Sequence, residues 1–356
     1  MTRTRIALIG TGGIAQSHVN AVRAAADRAE LIAVVDINRQ TLARFADEHH
    51  IDAQYTDVGA MLAAEHPDLV LICTPPQVHC ELSIQAMEAG AWVLCEKPLV
   101  ASLAELDQIE AAQARTGLYT SSVFQWRYGS GAQHLKHLID DAAVGRPLLG
   151  ICQTTWYRDE AYYAVPWRGT WASELGGVTM GHGIHAMDMF LWLFGEWTQV
   201  SAMMGTLNHA IEVEDVSLAH VRFANGAMGS IINSVISPRQ VSYVRMDFER
   251  ATVELEHLYA YSNQHWRYST YDGGDDEALR QWATIDGDAP GSHAAQLAHI
   301  LDCMQRDEEP LTSCAGVRST LEFIASLYKS AMTGTPVQRG SIAVDDPYYT
   351  HMCGLC

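Results

Sequence analysis

Residues 5 to 15, "RIALIGTGGIA", constrain the fold of this chain more than any other stretch. A short apolar run ends in Gly10-Thr11-Gly12-Gly13-Ile14-Ala15, and a helical pattern, "SHVNAVRAAA", follows directly. This is the G-x-G-x-x-G/A turn in its required setting, with a strand before it and a helix after it. Gly10 permits the tight turn, Gly12 lets the backbone approach a pyrophosphate, and Ala15 is small enough for the helix to pack on the strand. The N–H groups that open the helix then face the phosphates. The next apolar run, "ELIAVVD", ends in Asp36, where an acid accepts hydrogen bonds from the adenosine ribose and repels a 2′-phosphate. The pattern predicts NAD rather than NADP. Arg39, three residues on, is placed to stack on adenine or to turn toward a 2′-phosphate.

Apolar runs and helical patterns keep alternating through "DLVLICT", "QVHCELSIQAMEAG", "AWVLCEKP", "SLAELDQIEAAQARTG" and "LYTSSVFQ". Such alternation predicts an α/β fold, a doubly wound Rossmann domain with a parallel sheet over residues 1–124. Ligands of such sheets lie at the carboxyl ends of the strands. Two of those ends carry chemistry: Thr74, Pro75, Pro76 and His79 after the fourth strand, and Glu96 and Lys97 after the fifth. A lysine desolvated beside a positive nicotinamide has a lowered pKa and suits acid/base work; the competing reading of Lys97 is a solvated surface residue.

A formal net charge of −19 argues against nucleic acid and anionic membranes, which need a basic footprint, and in favour of a small-molecule substrate. No apolar run is long enough to cross a bilayer, and no secretory h-region precedes the first strand, so a cytoplasmic location is expected. The eight cysteines are scattered through apolar runs and read as buried thiols rather than a disulfide frame. Cys353 and Cys356, with His351, close the chain as a frayed tail, and no metal site is expected there.

Residues 125–356 read as an α+β domain with a large open, mostly antiparallel sheet, its strands joined by short connections such as Asn225-Gly226. Within it, six of the sixteen residues from 156 to 171 are aromatic, which suits either a wall for the apolar face of a sugar ring or an oligomer contact. Then comes "GHGIHAMD", residues 181 to 188. At about 100° per residue, positions 181, 185 and 188 share one stripe and His182 lies to the side of His185. The two histidines and Asp188 converge poorly for a metal, which leaves acid/base catalysis or buried structural histidines.

The glycine turn, "TPP" with His79, and "EKP", in this order and spacing, resemble the Gfo/Idh/MocA family of oxidoreductases, and the likeness extends over nearly the whole chain. The resemblance implies NAD-dependent hydride transfer at a secondary hydroxyl of a sugar, glycoside or cyclitol, in a homodimer or homotetramer built through the open sheet. It also implies that Lys97 and His185 act at the substrate. The family's catalytic aspartate falls on Gly181, so one member of that set is missing and His182 follows it as a candidate relay. Gln125, Trp167 and Arg168 are expected at the cofactor, and Arg127, Tyr157, Tyr163, Trp167 and Arg168 around the substrate. Two rival readings stay open: glycoside cleavage through a retained, transiently reduced NAD, and an NAD-binding regulatory protein without turnover.

Overall fold

The computed structural model describes residues 3–354. The chain divides into two compact units, and residues 293–318, expected in the second domain, belong to the first. The second unit begins at Phe124, runs to Ser292 and resumes at Ser319.

The first unit is built on β1 (Thr4–Ile9), β2 (Ala29–Val35), β3 (Ala53–Tyr55), β4 (Leu69–Ile72), β5 (Trp92–Cys95) and β6 (Thr120–Ser122). They form one parallel sheet in the order β3-β2-β1-β4-β5-β6. The order reverses beside β1, which makes the carboxyl ends of β1 and β4 the switch point at which such sheets bind nucleotides. Continuous apolar strands suit a sheet covered on both faces: Ile6, Leu8, Leu69, Leu71 and Leu94 are sealed in one core. The helix Ala15–Ala24 supplies Val19 and Val22 to this core, and the late helix His293–Arg306 supplies Leu297, Ile300 and Leu301. That amphipathic stripe accounts for the late segment's place in the first unit.

The second unit carries β7 (Pro147–Tyr157), β8 (Trp197–Gly205), β9 (Val216–Phe223), β10 (Met228–Ser234), β11 (Ile236–Phe248), β12 (Thr252–His257), β13 (Trp266–Ser269) and β14 (Val337–Gln338). Their order is β13-β12-β11-β7-β10-β9-β8-β14. Every pairing is antiparallel except β7 with β10, so the sheet is mixed. Asn225-Gly226 makes the expected hairpin between β9 and β10, with Gly226 at φ +88° and the Asn225 side chain accepting from Ala227 N. The helix Ile184–Phe194 packs one face of the sheet through Phe190 and Phe194, which contact Phe223 edge-on. This helix is apolar nearly all round and almost wholly buried, so its two polar residues, His185 and Asp188, must find partners inside. No described helix is long and apolar enough to cross a membrane.

Candidate active site

In the first unit the glycine turn is forced by its surroundings. Gly10 sits at φ +93°, and a Cβ there would lie 2.8 Å from the Cys73 carbonyl carbon and oxygen. Nothing lies within 4 Å of the corresponding positions on Gly12 and Gly13, so the turn is open where a dinucleotide backbone would approach. Asp36 Oδ2 accepts from Thr11 N at 2.8 Å and from its hydroxyl at 2.7 Å, and Oδ1 accepts from Asn38 N. These bonds hold the carboxylate beside the turn. The cleft here is lined by Thr11, Gly12, Gly13, Thr41 and Arg44; Arg39 is not among its lining residues.

At the end of β5, Glu96 is buried and shared by two imidazoles: His18 Nε2 lies 2.9 Å and His293 Nε2 3.2 Å from Oε1. Its other oxygen accepts from Lys97 N at 3.2 Å. Burial pushes the Glu96 carboxyl up, but the two histidines outweigh it and hold it well below the usual carboxylate range. Burial keeps the His18 imidazole below its ordinary value despite Glu96. The three ligand atoms lie within 4.8 Å of one another, the one such grouping among the described residues that has the make-up of a cation site. N–H···O bonding to one carboxylate accounts for that spacing. Glu96, expected at the cofactor, is thus the anchor for the Lys97 backbone.

His79, also expected at the cofactor, has another task. It is fully buried, with Nδ1 2.8 Å from Pro98 O and Nε2 2.8 Å from Thr74 O. A neutral imidazole donates to only one of these two carbonyls, and either bond ties His79 to the loops after β4 and β5.

In the second unit the glycine loop before the histidines is clamped by a residue the sequence did not single out. Buried Glu214 accepts from Gly177 N at 2.9 Å and Thr179 N at 3.0 Å, and from the Tyr328 hydroxyl at 3.1 Å. A side chain at Gly177 would collide with the Glu214 carbonyl, 1.8 Å from the Cβ position. Residues Thr179–Gly183 then form a π turn before the helix Ile184–Phe194. A wider turn breaks the 100° phase assumed from the sequence, so His182 and His185 are not related as on one α-helix.

His185 is 3% exposed, stacked on Trp126 with ring centroids 5.7 Å apart at 29°, and edge-on to Tyr259 at 6.2 Å. His182 Nε2 accepts from Arg158 Nε at 3.1 Å and lies 3.3 Å from the Tyr162 hydroxyl. An imidazole nitrogen that accepts an N–H carries no proton of its own, so this ring is neutral. Arg168 lies over the Tyr162 ring, 3.8 Å from its centroid, donates to the Tyr162 hydroxyl, and pairs with buried Glu174 at 3.1 Å. Arg158, Glu174 and Glu214 were not anticipated; the only local hint was an arginine and an acid flanking the aromatic run.

The other residues expected around the cofactor and substrate are placed as follows. Arg127 is 3% exposed and binds Asp188 through Nε at 2.7 Å and Nη2 at 2.5 Å, while the Thr320 hydroxyl donates to the same carboxylate at 2.9 Å. Its guanidinium is the counter-ion of the buried Asp188. Trp156 is a core residue of β7 whose Nε1 donates to Ser242 Oγ at 3.0 Å. Gln125 is buried, with Nε2 3.5 Å from the Tyr259 hydroxyl. Tyr157 and Trp167 are exposed, and Tyr163 stacks at an angle on His209, 4.7 Å away. All seven described cysteines are free thiols, six of them buried; Cys356 lies outside the described residues.

Comparison with known proteins agrees with this geometry. Residues 4–124 match the model of an oxidoreductase family with an NAD-binding Rossmann fold, and residues 132–254 match the GFO/IDH/MocA C-terminal domain. The chain is 27% identical to D-apiose dehydrogenase of Paraburkholderia graminis, over 98% of this chain and 93% of that one. It is 24% identical to D-glucoside 3-dehydrogenase of Escherichia coli, over 94% and 97% of the two chains. The WlbA dehydrogenase of Bordetella pertussis, solved with NADH and UDP-GlcNAcA, superposes with a TM-score of 0.84 at 26% identity, covering 95% of this chain and 99% of that one. The chain belongs to the Gfo/Idh/MocA family of NAD-binding oxidoreductases.

Proposed function

We propose that this oxidoreductase oxidises a secondary hydroxyl of a sugar, glycoside or cyclitol, or reduces the corresponding ketone. The observation that carries this reading is the pairing, in one chain, of an open glycine turn guarded by Asp36 with a buried histidine, His185, held by aromatic rings at the start of an apolar helix. Relatives bearing the names of sugar and glucoside dehydrogenases support the substrate class. Gly10, Thr11, Gly12 and Gly13 hold the pyrophosphate and Asp36 the ribose. When bound, NAD supplies the hydride acceptor.

His185 takes the hydroxyl proton, and the rings of Trp126 and Tyr259 fix its orientation. Lys97, its backbone tied to Glu96, polarises the same oxygen, and the two roles can be exchanged. Neutral His182 is suited to pass the proton on. Exposed Tyr157 and Trp167 offer apolar faces to the substrate ring. If Lys97→Ala and His185→Ala both kept wild-type kcat and KM, this assignment would be wrong.

Assembly and location follow as parts of the same reading. Exposed Leu149 and Met228 pair in register across β7 and β10, as do Leu218 and Met203 across β9 and β8. Exposed apolar pairs of this kind support a homo-oligomer joined through the sheet, to be read by light scattering. The buried free thiols suit a reducing, cytoplasmic compartment.

A further inference from the structure

Arg158 directly follows β7, and its guanidinium carbon lies 5.1 Å from the Trp156 ring centroid and 5.2 Å from that of Tyr162. Nε donates to His182 and Nη1 to Tyr157 O at 2.8 Å; neither bond uses Nη2. Two acids come next in the chain, yet Asp159 instead caps the short helix Glu160–Tyr163 by accepting from Tyr162 N at 3.0 Å. Among the described residues no carboxylate forms an ion pair with Arg158.

The surroundings do not supply the missing charge. Arg168 is neutralised by Glu174, and His182 is neutral as the acceptor of the Arg158 N–H. At Gly181, where a side chain would have room, the nearest atom to a Cβ is Glu174 Oε1 at 3.7 Å, the carboxylate already held by Arg168. The group of Arg158, Arg168, Tyr162, His182 and Glu174 therefore carries one net positive charge, in a chain whose total is −19. A half-buried guanidinium packed between two rings and left without a counter-ion gains from an anion that arrives with a ligand.

From this uncompensated cation beside His182, we propose that Arg158 is a specificity residue for a carboxylate on the substrate, so that the protein acts on a sugar acid or polyol acid in preference to the neutral compound. The inference rests on the substrate class proposed above. The planar edge that includes Nη2 receives the carboxylate, while Nε keeps His182 in its accepting, unprotonated state. Position 181, lacking a carboxylate, adds no repulsion against such a ligand.

The test is calorimetric titration of the NADH-loaded protein with pairs that differ only in the acid: methyl glucuronide and methyl glucoside, galacturonate and galactose, gluconate and glucitol. In at least one pair the acid binds about tenfold more tightly or better, the scale of one charge-assisted contact. In Arg158→Gln the two members of that pair converge, the acid losing its roughly tenfold advantage. Arg158→Lys, which retains the charge without the planar fork, keeps part of the preference. Unchanged melting temperature and NADH affinity establish that the variants are folded. The proposal is overturned if no acid binds more tightly than its neutral partner, or if the preference survives in Arg158→Gln. Because binding is read with NADH and needs no turnover, a failure of hydride transfer would show separately, as no NADH formed from NAD with any of these compounds.

Discussion

Replacing His257 with phenylalanine should change how the protein responds to acid. His257 ends β12, is 7% exposed, and lies edge-on to Trp126 at 4.5 Å, the ring on which His185 stacks. Burial pushes its pKa down to about 3 from an ordinary 6.5, and the nearby His265 adds to the depression. The folded protein thus keeps this imidazole neutral while the unfolded chain protonates it. Between pH 6.5 and about 3 the unfolded state binds one proton more, so stability is full above 6.5 and is lost as pH falls through that window. At about 1.4 kcal/mol per pH unit, the loss by pH 5 is roughly 2 kcal/mol. Phenylalanine keeps a ring against Trp126 and cannot protonate. Urea unfolding at pH 7.5 and pH 5 should therefore show the wild type losing about 2 kcal/mol more than the variant. Burial also depresses His18 and His79, but they titrate alike in both proteins and cancel in the difference. Equal losses in the two proteins would refute the claim that His257 is held neutral behind Trp126.

Three further outcomes are expected. Asp188→Asn strands the Arg127 guanidinium and should cost about 3–5 kcal/mol, a melting temperature lower by roughly 6–20 °C; Arg127→Met with Asp188→Leu should recover much of it. Gly10→Ala should destabilise the first unit by about 1–3 kcal/mol, whereas Gly12→Ala should leave thermal melting unchanged and weaken NAD binding measured by titration. Leu175, at φ +63° in the glycine loop, is strained, so Leu175→Gly should raise the melting temperature unless the lost packing of its side chain exceeds about 1 kcal/mol.

The Rossmann unit was legible because its signals are local: apolar runs, crossover helices, and a glycine turn whose steric need is met within one strand–helix step. The place of His293–Arg306 was not, since its apolar stripe says only that the helix packs on something. The site was legible in part for the same reason. Lys97 and His185 are flagged by motif, but the partners that decide a side chain's task lie far away in sequence. Arg127 looked free for a substrate until Asp188, sixty-one residues later, claimed it. His79 is committed to the carbonyls of Thr74 and Pro98, and Glu96 to histidines at 18 and 293, pairings that no spacing rule contains. The π turn over Thr179–Gly183 escaped because a helical period read from sequence presumes an unbroken α-helix.

The central claim is net hydride transfer from a secondary alcohol to NAD. The most direct measurement is to incubate the purified protein with NAD and a pool of pyranosides, sugar acids and cyclitols, following NADH absorbance and substrate consumption in one sample. The account predicts NADH rising in step with substrate loss. Substrate consumed without NADH, or NAD bound with nothing consumed, would contradict it.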